Sequence, residues 1–175
     1  MPVNVLGMTG ERFDLAQVNI GRMLEPLDSP RMAGFVAALE PVNAVADQAP
    51  GFRWRLQTED GDATAMRIFD DEWLLVNMST WASHQALVDY VYGPAHVAVL
   101  RERRQYFERP AEAMAVLWWV PAGHRPTVAE AQERLVHLRE QGPTAFAFTL
   151  RETFPAPDAT EGDLVVRDLT GCGVD

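Results

Sequence analysis

The chain contains four histidines, the side chains best suited to exchange protons near neutral pH. His96 is the first candidate for chemistry, because Leu100, Arg103 and Phe107 follow it at the spacing of one helical face. A histidine beside apolar groups and an arginine can act as a general base or bind haem iron. The alternative is a histidine whose hydrogen bonds serve only the structure.

The other three histidines have weaker surroundings. His84 lies in the first turn of a predicted helix, where it faces either the end of a sheet or solvent. His124 lies in a predicted loop between a strand and a helix, and it either takes part in a site or fixes the turn. His137 lies among Glu and Arg in a predicted helix, which is typical of a surface position.

Proton abstraction by His96, or by His84, from an acidic carbon or a phenol would leave an enolate that needs stabilisation. Asn19, Tyr92 and Arg103 are the candidates for that role, and these five residues form the predicted catalytic set. Arg103 belongs to the run R-E-R-R at 101–104, which is most simply an exposed face. Inside a pocket, however, an arginine pairs well with an anionic substrate group.

Tryptophan side chains are numerous enough to form the wall of a pocket for a flat, conjugated ligand. Most of these rings are expected in the core or at a subunit contact, and one or two in a cavity. The predicted substrate-binding residues are Trp54, Trp73, Trp81, Trp118, Trp119 and His124.

Several classes of function are disfavoured by the sequence. The motifs G-x-S-x-G and H-E-x-x-H, a Walker A loop and a dinucleotide-binding fingerprint are absent, and the chain has no lysine to form a Schiff base. No paired-histidine spacing supports a metal site. The net charge of −10 opposes binding to nucleic acids and to anionic membranes.

The expected location is the cytoplasm. The N-terminal residues lack the basic and apolar regions of a signal peptide, and no apolar run is long enough to span a bilayer. The lone Cys172 cannot form an internal disulfide.

Hydrophobic periodicity predicts the order β-α-β-β-α-(α)-β-α-β, with strands over residues 13–21, 52–56, 72–80, 113–122 and 145–150. This order contains the β-α-β-β-α-β unit of a ferredoxin-like α+β fold, an antiparallel sheet with helices on one face. We expect one domain over residues 1–155 and a C-terminal tail over 156–175.

Turn and capping residues give the expected helix boundaries. The first helix is predicted to begin near Ser29, and Pro41 is expected to kink or split it. Thr127 and Glu130 have the spacing of a capping box, which starts a helix that runs to about Gln141.

Two adjacent indoles, Trp118 and Trp119, raise the question of how both sheet faces are covered. Neighbouring side chains of a strand point to opposite faces, so helices on one face would leave one indole bare. A second copy packed face to face would cover it, which predicts a homodimer whose paired sheets enclose an aromatic cavity. The alternative is that the extra helix or the tail covers that face within one chain.

The stretches GFRWRL, WASHQALVDYVYGPAH, LWWVPAGHRPTVAEAQERL and GPTAFAF resemble a bacterial family catalogued as domain of unknown function 3291. The resemblance covers about residues 13–155. It implies the dimeric α/β-barrel superfamily, whose members include antibiotic-biosynthesis monooxygenases, polyketide cyclases, haem-degrading monooxygenases and isomerases. The haem-degrading members use a first-strand Asn, a Trp and a helix His. Asn19 and His96 match this pattern, whereas the nearest Trp is Trp81.

The sequence is compatible with three hypotheses about function. The first, by analogy with the superfamily that the resemblance implies, is a small-molecule enzyme of secondary metabolism that acts on a hydrophobic, aromatic or polyketide-like substrate. Its reaction would be cofactor-independent oxygenation, or cyclisation or isomerisation by proton transfer. The second is a haem-binding protein or haem monooxygenase with His96 as the axial ligand. The third is a carrier or sensor that binds a hydrophobic ligand without turnover.

Overall fold

A computed structural model describes residues 12–58 and 63–159. Within these ranges the strands are Phe13–Arg22 (β1), Phe52–Arg55 (β2), Leu74–Trp81 (β3) and Ala115–Pro121 (β4). The helices are Ala33–Asp47 (α1), His84–Val91 (α2), Pro94–Tyr106 (α3) and Val128–Gln141 (α4). Most of the tail predicted over 156–175 lies outside the described residues.

The four strands form one antiparallel sheet in the order β2-β3-β1-β4. β1 and β3 are the central strands, and their register places Asn19 opposite Asn77. With the chain order β1-α1-β2-β3-α2-α3-β4, this is the predicted ferredoxin-like α+β fold. No helix in the described part of the chain is long and apolar enough to cross a membrane.

α4 begins and ends where the sequence predicts. The Thr127 side chain accepts a hydrogen bond from the backbone N–H of Glu130, and the Glu130 carboxylate accepts one from the Thr127 N–H, which completes the capping box. Gly142 follows the last residue of the helix with φ 74°, a conformation that favours glycine.

Thr127→Ala is expected to lower the free energy of unfolding by about 1 kcal/mol, because one backbone donor of α4 loses its cap. Thr127→Ser retains a hydroxyl acceptor and should stay within a few tenths of a kcal/mol of the wild type. Urea denaturation of the three proteins measures both values. Equal losses for the alanine and serine variants would show that the cap does not stabilise the helix.

The predicted start of α1 was wrong, and of the two outcomes expected at Pro41 the split does not occur. The helix begins at Ala33, not near Ser29, because Ser29 forms a turn in which its backbone carbonyl accepts from the N–H of Met32. The helix also runs unbroken through Pro41. Pro41 has no backbone N–H, so the carbonyl of Ala37, four residues earlier, lacks its usual helical donor. Both residues are exposed, so water can donate to that carbonyl instead.

The strand predicted over 145–150 was also wrong. Only Phe148 pairs with the sheet, through two backbone hydrogen bonds to Leu117 of β4 at 2.8 and 2.9 Å. A second isolated bridge between Thr144 and Ala147 turns the chain back on itself, which prevents a longer ladder. The Phe148 side chain is fully buried.

α1, α2 and α3 lie over one face of the sheet, whereas α4 lies over the other. The prediction that the helices share one face was therefore wrong for α4. On the α4 face, Ala131, Leu135 and Leu138 of the helix pack in one buried cluster with Trp118. On the opposite face, Trp119 packs against Phe148 and Phe154, and its Nε1 donates to the Phe154 carbonyl oxygen at 2.7 Å. Both indoles are therefore covered within one chain, the alternative left open above. The homodimer was predicted because one sheet face was expected to be bare, and that reason no longer holds. The homodimer itself stays a prediction.

Candidate functional site

A cleft lies between α1, α3 and the sheet face opposite α4. Its cavity volume is about 170 Å³. The floor comes from the central strands, one wall from α1 and the other from α3, and Phe52 and Arg55 of β2 and Tyr90 of α2 also line the cavity. We refer to this space as the cleft.

The two walls of the cleft are amphipathic helices that pack loosely on the sheet. Phe35, Leu39 and Val42 supply the apolar lining from α1, at helical spacing. α3 has no buried residue, and Leu100, which lines the cleft, is 43% exposed. The helix therefore leaves room between itself and the sheet.

Two amides lie on the floor of the cleft at its centre. Asn19 of β1 and Asn77 of β3 are register partners and both line the cavity. Asn77 is exposed although β3 is an internal strand, so no helical side chain covers it. The exposed amide of Asn77 and the partly buried amide of Asn19 can offer a ligand both donors and acceptors.

His96 lines the cleft from the first turn of α3 and is partly buried. Its Nδ1 lies 3.0 Å from the carbonyl oxygen of Val91. A carbonyl oxygen only accepts, so Nδ1 carries the proton, and in the neutral ring Nε2 keeps its lone pair. Burial lowers the pKa of His96, and the hydrogen bond to Val91 opposes that shift in part. The histidine is therefore a neutral base at physiological pH.

Tyr90 lies beside His96, with ring centroids 5.0 Å apart. Its other neighbour is Trp81, on which it stacks at 4.9 Å and an interplanar angle of 29°. Burial raises the pKa of Tyr90, and the carboxylate of Asp47 adds to that shift. The phenol therefore keeps its proton and can donate a hydrogen bond within the cleft.

Two arginines line the cleft, and they have different partners. Arg55 of β2 is paired with Asp47 of α1, with Nε 2.8 Å and Nη2 3.3 Å from its carboxylate oxygens. Arg103 of α3 reaches the backbone of β1, where Nη2 donates to the carbonyl oxygen of Ile20 at 3.3 Å. None of the described residues that line the cleft is Asp or Glu. Because Asp47 neutralises Arg55, Arg103 is the cation of the lining that has no acidic partner among the described residues.

The structure brings three of the five predicted catalytic residues, Asn19, His96 and Arg103, into this cleft. It does not place the other two there. Tyr92 is the C-terminal cap of α2 and is 67% exposed. His84 lies outside the lining, with Nε2 3.3 Å from the carbonyl oxygen of Leu150.

None of the predicted substrate-binding residues lines the cleft. Trp118 and Trp81 are each 1% exposed in the core, and Trp54 packs against the α4-face cluster. Trp73 is 37% exposed but lies away from the cavity. His124 bonds to Glu130 at 2.9 Å near the surface. Trp119 packs against the segment after α4. The apolar lining comes from Phe and aliphatic side chains instead.

Sequence reasoning missed Asn77, Ser79, Tyr90 and Arg55 as lining residues. The sequence does carry a signal for Asn77 and Ser79. In L-L-V-N-M-S-T they are the polar residues on one face of a mostly apolar strand. Arg55 belongs to the polar alternation of F-R-W-R. Nothing in the sequence indicated that Tyr90 lines the cleft, apart from its position two residues before the candidate Tyr92.

The lowered pKa of His96 predicts a pH dependence of stability. The unfolded chain, with the ordinary histidine pKa, binds a proton below about pH 6.5, whereas folded His96 resists protonation until a lower pH. Protonation of His96 therefore does not affect the free energy of unfolding above about pH 7.5. As the pH falls below about 6.5, it lowers the free energy of unfolding. We expect the free energy of unfolding of the wild type, relative to His96→Gln, to decrease from pH 7.5 to pH 5.5 in urea titrations. A constant difference would contradict the pKa shift.

Comparisons with solved structures give matches of low identity. PA3566 from Pseudomonas aeruginosa is 10% identical, with a TM-score of 0.44, and the match covers 66% of this chain and 99% of that one. SnoaB, a cofactor-independent oxygenase from Streptomyces nogalater, is 16% identical, with a TM-score of 0.43, over 64% of this chain and 95% of that one. The NE2512 protein of unknown function from Nitrosomonas europaea is 12% identical, with a TM-score of 0.42, over 67% and 97%.

No curated protein matches the sequence. One family model does, over residues 14–163, which include most of the chain and every element of the fold from β1 to α4 except Phe13. This match confirms the resemblance carried by GFRWRL and LWWVPAGH. The chain belongs to the family described as Domain of unknown function (DUF3291).

Proposed function

We propose that this protein is an enzyme that removes a proton from an acidic carbon or phenol of a small hydrophobic, aromatic substrate. The observation that carries the proposal is His96, a neutral base in an apolar cleft whose Nδ1 proton is fixed by the Val91 carbonyl. Fixing one nitrogen as a donor fixes the other as the acceptor, which is how catalytic histidines are held ready.

The residues around His96 support stabilisation of the product anion. Nε2 takes the proton, and the negative charge moves to the oxygen of an enolate or phenolate. Tyr90 supplies a phenolic O–H beside the base, and Asn19 supplies amide N–H donors on the floor. Donors held in place before the charge develops stabilise it better than mobile water does.

Two outcomes for the enolate are compatible with the cleft. The first is return of the proton: reprotonation at another atom gives isomerisation, whereas attack of the enolate carbon on a carbonyl carbon of the same molecule, with the proton returned to that carbonyl's oxygen, gives cyclisation. Transfer of an electron to O₂, recombination to a peroxide and loss of water convert a CH₂ group and O₂ to a carbonyl group and H₂O. The second route needs no cofactor, because the enolate is itself the reductant.

The cavity limits the size of the ligand. A closed cavity of about 150 Å³ holds one benzene ring, and this cleft, at about 170 Å³, is also open to solvent. One or two rings therefore fit, with substituents directed outward. Haem, with four pyrrole rings in one macrocycle, does not fit this volume, although Nε2 of His96 has the right chemistry for iron.

Oxygen uptake and product analysis with β-tetralone test the proposal. This two-ring ketone has a carbon acid between a carbonyl and an aromatic ring, and its enolate is oxidised by O₂. We expect saturable oxygen uptake, or saturable exchange of the carbon-bound proton with D₂O without uptake, in the presence of a metal chelator. Binding of β-tetralone with no chemical change at any pH would instead favour a carrier or sensor and contradict the enzyme.

A further inference from the structure

His96 and Arg103 lie on the same face of α3, two turns apart. Residues separated by seven positions return to nearly the same direction, about 10 Å further along the helix axis. Both side chains line the cleft, and Val99 and Leu100 line it between them. The wall thus has a base at one end, an apolar middle and a guanidinium at the other end.

Arg103 is partly buried and lacks the kind of partner that other arginines have. Arg22 pairs with Asp71, and Arg139 pairs with Glu112. Over residues 12–58 and 63–159, Arg103 contacts the Ile20 carbonyl oxygen at 3.3 Å and the Phe107 ring at 6.0 Å, and no carboxylate pairs with it. A guanidinium has five N–H donors, so most of its capacity to bind an anion is unused.

The end of the cleft around Arg103 is lined with aromatic rings. Gly21 has no side chain, which lets the Phe107 ring lie on β1, since a Cβ at Gly21 would be 2.8 Å from that ring. Phe35 meets the same ring edge to face, with centroids 5.0 Å apart. A ligand anion here would sit beside apolar surface, where charge-assisted hydrogen bonds are stronger than in water.

We propose that the ligand of this cleft is a hydrophobic carboxylate of one or two rings, whose carboxylate binds Arg103 while its other end lies at His96. The carboxylate would balance the charge of Arg103, because Arg55, the other arginine of the lining, is already paired with Asp47. The part that places the reacting carbon at His96 rests on the proposed function. The binding of the carboxylate by Arg103 does not.

The test compares naphthylacetate with naphthylacetamide, two ligands of the same shape that differ in charge. Isothermal titration calorimetry of the wild-type protein should give a dissociation constant at least tenfold lower for the carboxylate. Arg103→Gln should weaken the carboxylate by about 10- to 100-fold and leave the amide within about threefold. Arg104→Gln, at the exposed neighbouring position, should change neither.

Equal binding of the two ligands to the wild type, or a carboxylate preference that survives Arg103→Gln, would overturn the inference. A preference lost equally in Arg104→Gln would overturn it as well, because it would show only the effect of net charge. Circular dichroism of both variants checks that they are folded. Since binding needs no proton transfer, a carboxylate preference without turnover would support this inference while contradicting the enzyme.

Discussion

His96→Gln is expected to lower the catalysed rate on β-tetralone by about 10² to 10⁴-fold, the usual contribution of a general base. Glutamine keeps a polar side chain of similar reach but cannot take a proton at neutral pH. The turnover number, measured as the rate of oxygen uptake or of proton exchange at saturating substrate, should fall, while the Michaelis constant changes little.

The wild-type pH profile and His84→Gln provide controls for this loss. Because burial lowers the pKa of His96, the wild-type rate should rise with pH to a plateau, with an apparent pKa below the ordinary 6.5. His84 lies outside the cleft, so its variant should retain the wild-type rate and profile. Full turnover in His96→Gln would show that another group is the base.

Phe148→Ala is expected to lower the free energy of unfolding by about 3–5 kcal/mol, the cost of deleting a fully buried phenylalanine. The ring lies in one cluster with Leu15, Trp81 and Leu117, and it contacts the rings of Trp119 and Phe154. Its loss removes the side-chain packing between β4 and the segment after α4 and leaves the backbone hydrogen bonds to Leu117 in place. Urea denaturation followed by tryptophan fluorescence measures the change.

Phe146→Ala is the matched control, two residues away in the same segment. Phe146 is 39% exposed and covers the Arg134 guanidinium, whose central carbon lies 3.4 Å from the ring centroid. An exposed cation–π contact contributes about 0.5–1 kcal/mol, so this variant should lose far less stability. Similar losses in the two variants would show that the segment does not belong to the core.

The fold was largely predictable because its signals are local. The capping box at Thr127 and Glu130, and Gly142 after the helix, gave both ends of α4. The face on which α4 packs was not predictable. Periodicity identifies an amphipathic helix, but it does not say which of two apolar sheet faces the helix will cover. Trp118 and Trp119 show only that both faces need a cover.

The site was predictable where it lies on one helix and unpredictable where it depends on the tertiary arrangement. The spacing of His96, Leu100 and Arg103 correctly indicated a shared face. Tyr90 and Tyr92, two residues apart, point in nearly opposite directions on a helix. The choice between them depends on how α2 is rotated on the sheet, which the sequence does not give. The tryptophans were placed in the pocket by residue type alone, whereas packing placed them in the core or elsewhere.

Hydrogen exchange at the acidic carbon of β-tetralone tests proton removal by His96 most directly. In D₂O without oxygen, NMR follows the loss of the carbon-bound proton signal, whatever happens to the enolate afterwards. If His96 is the base, the wild-type protein accelerates exchange saturably above the buffer rate, and His96→Gln does so at least about 100-fold less. Equal acceleration by the two proteins, or none by either, would contradict proton removal by His96 in this cleft.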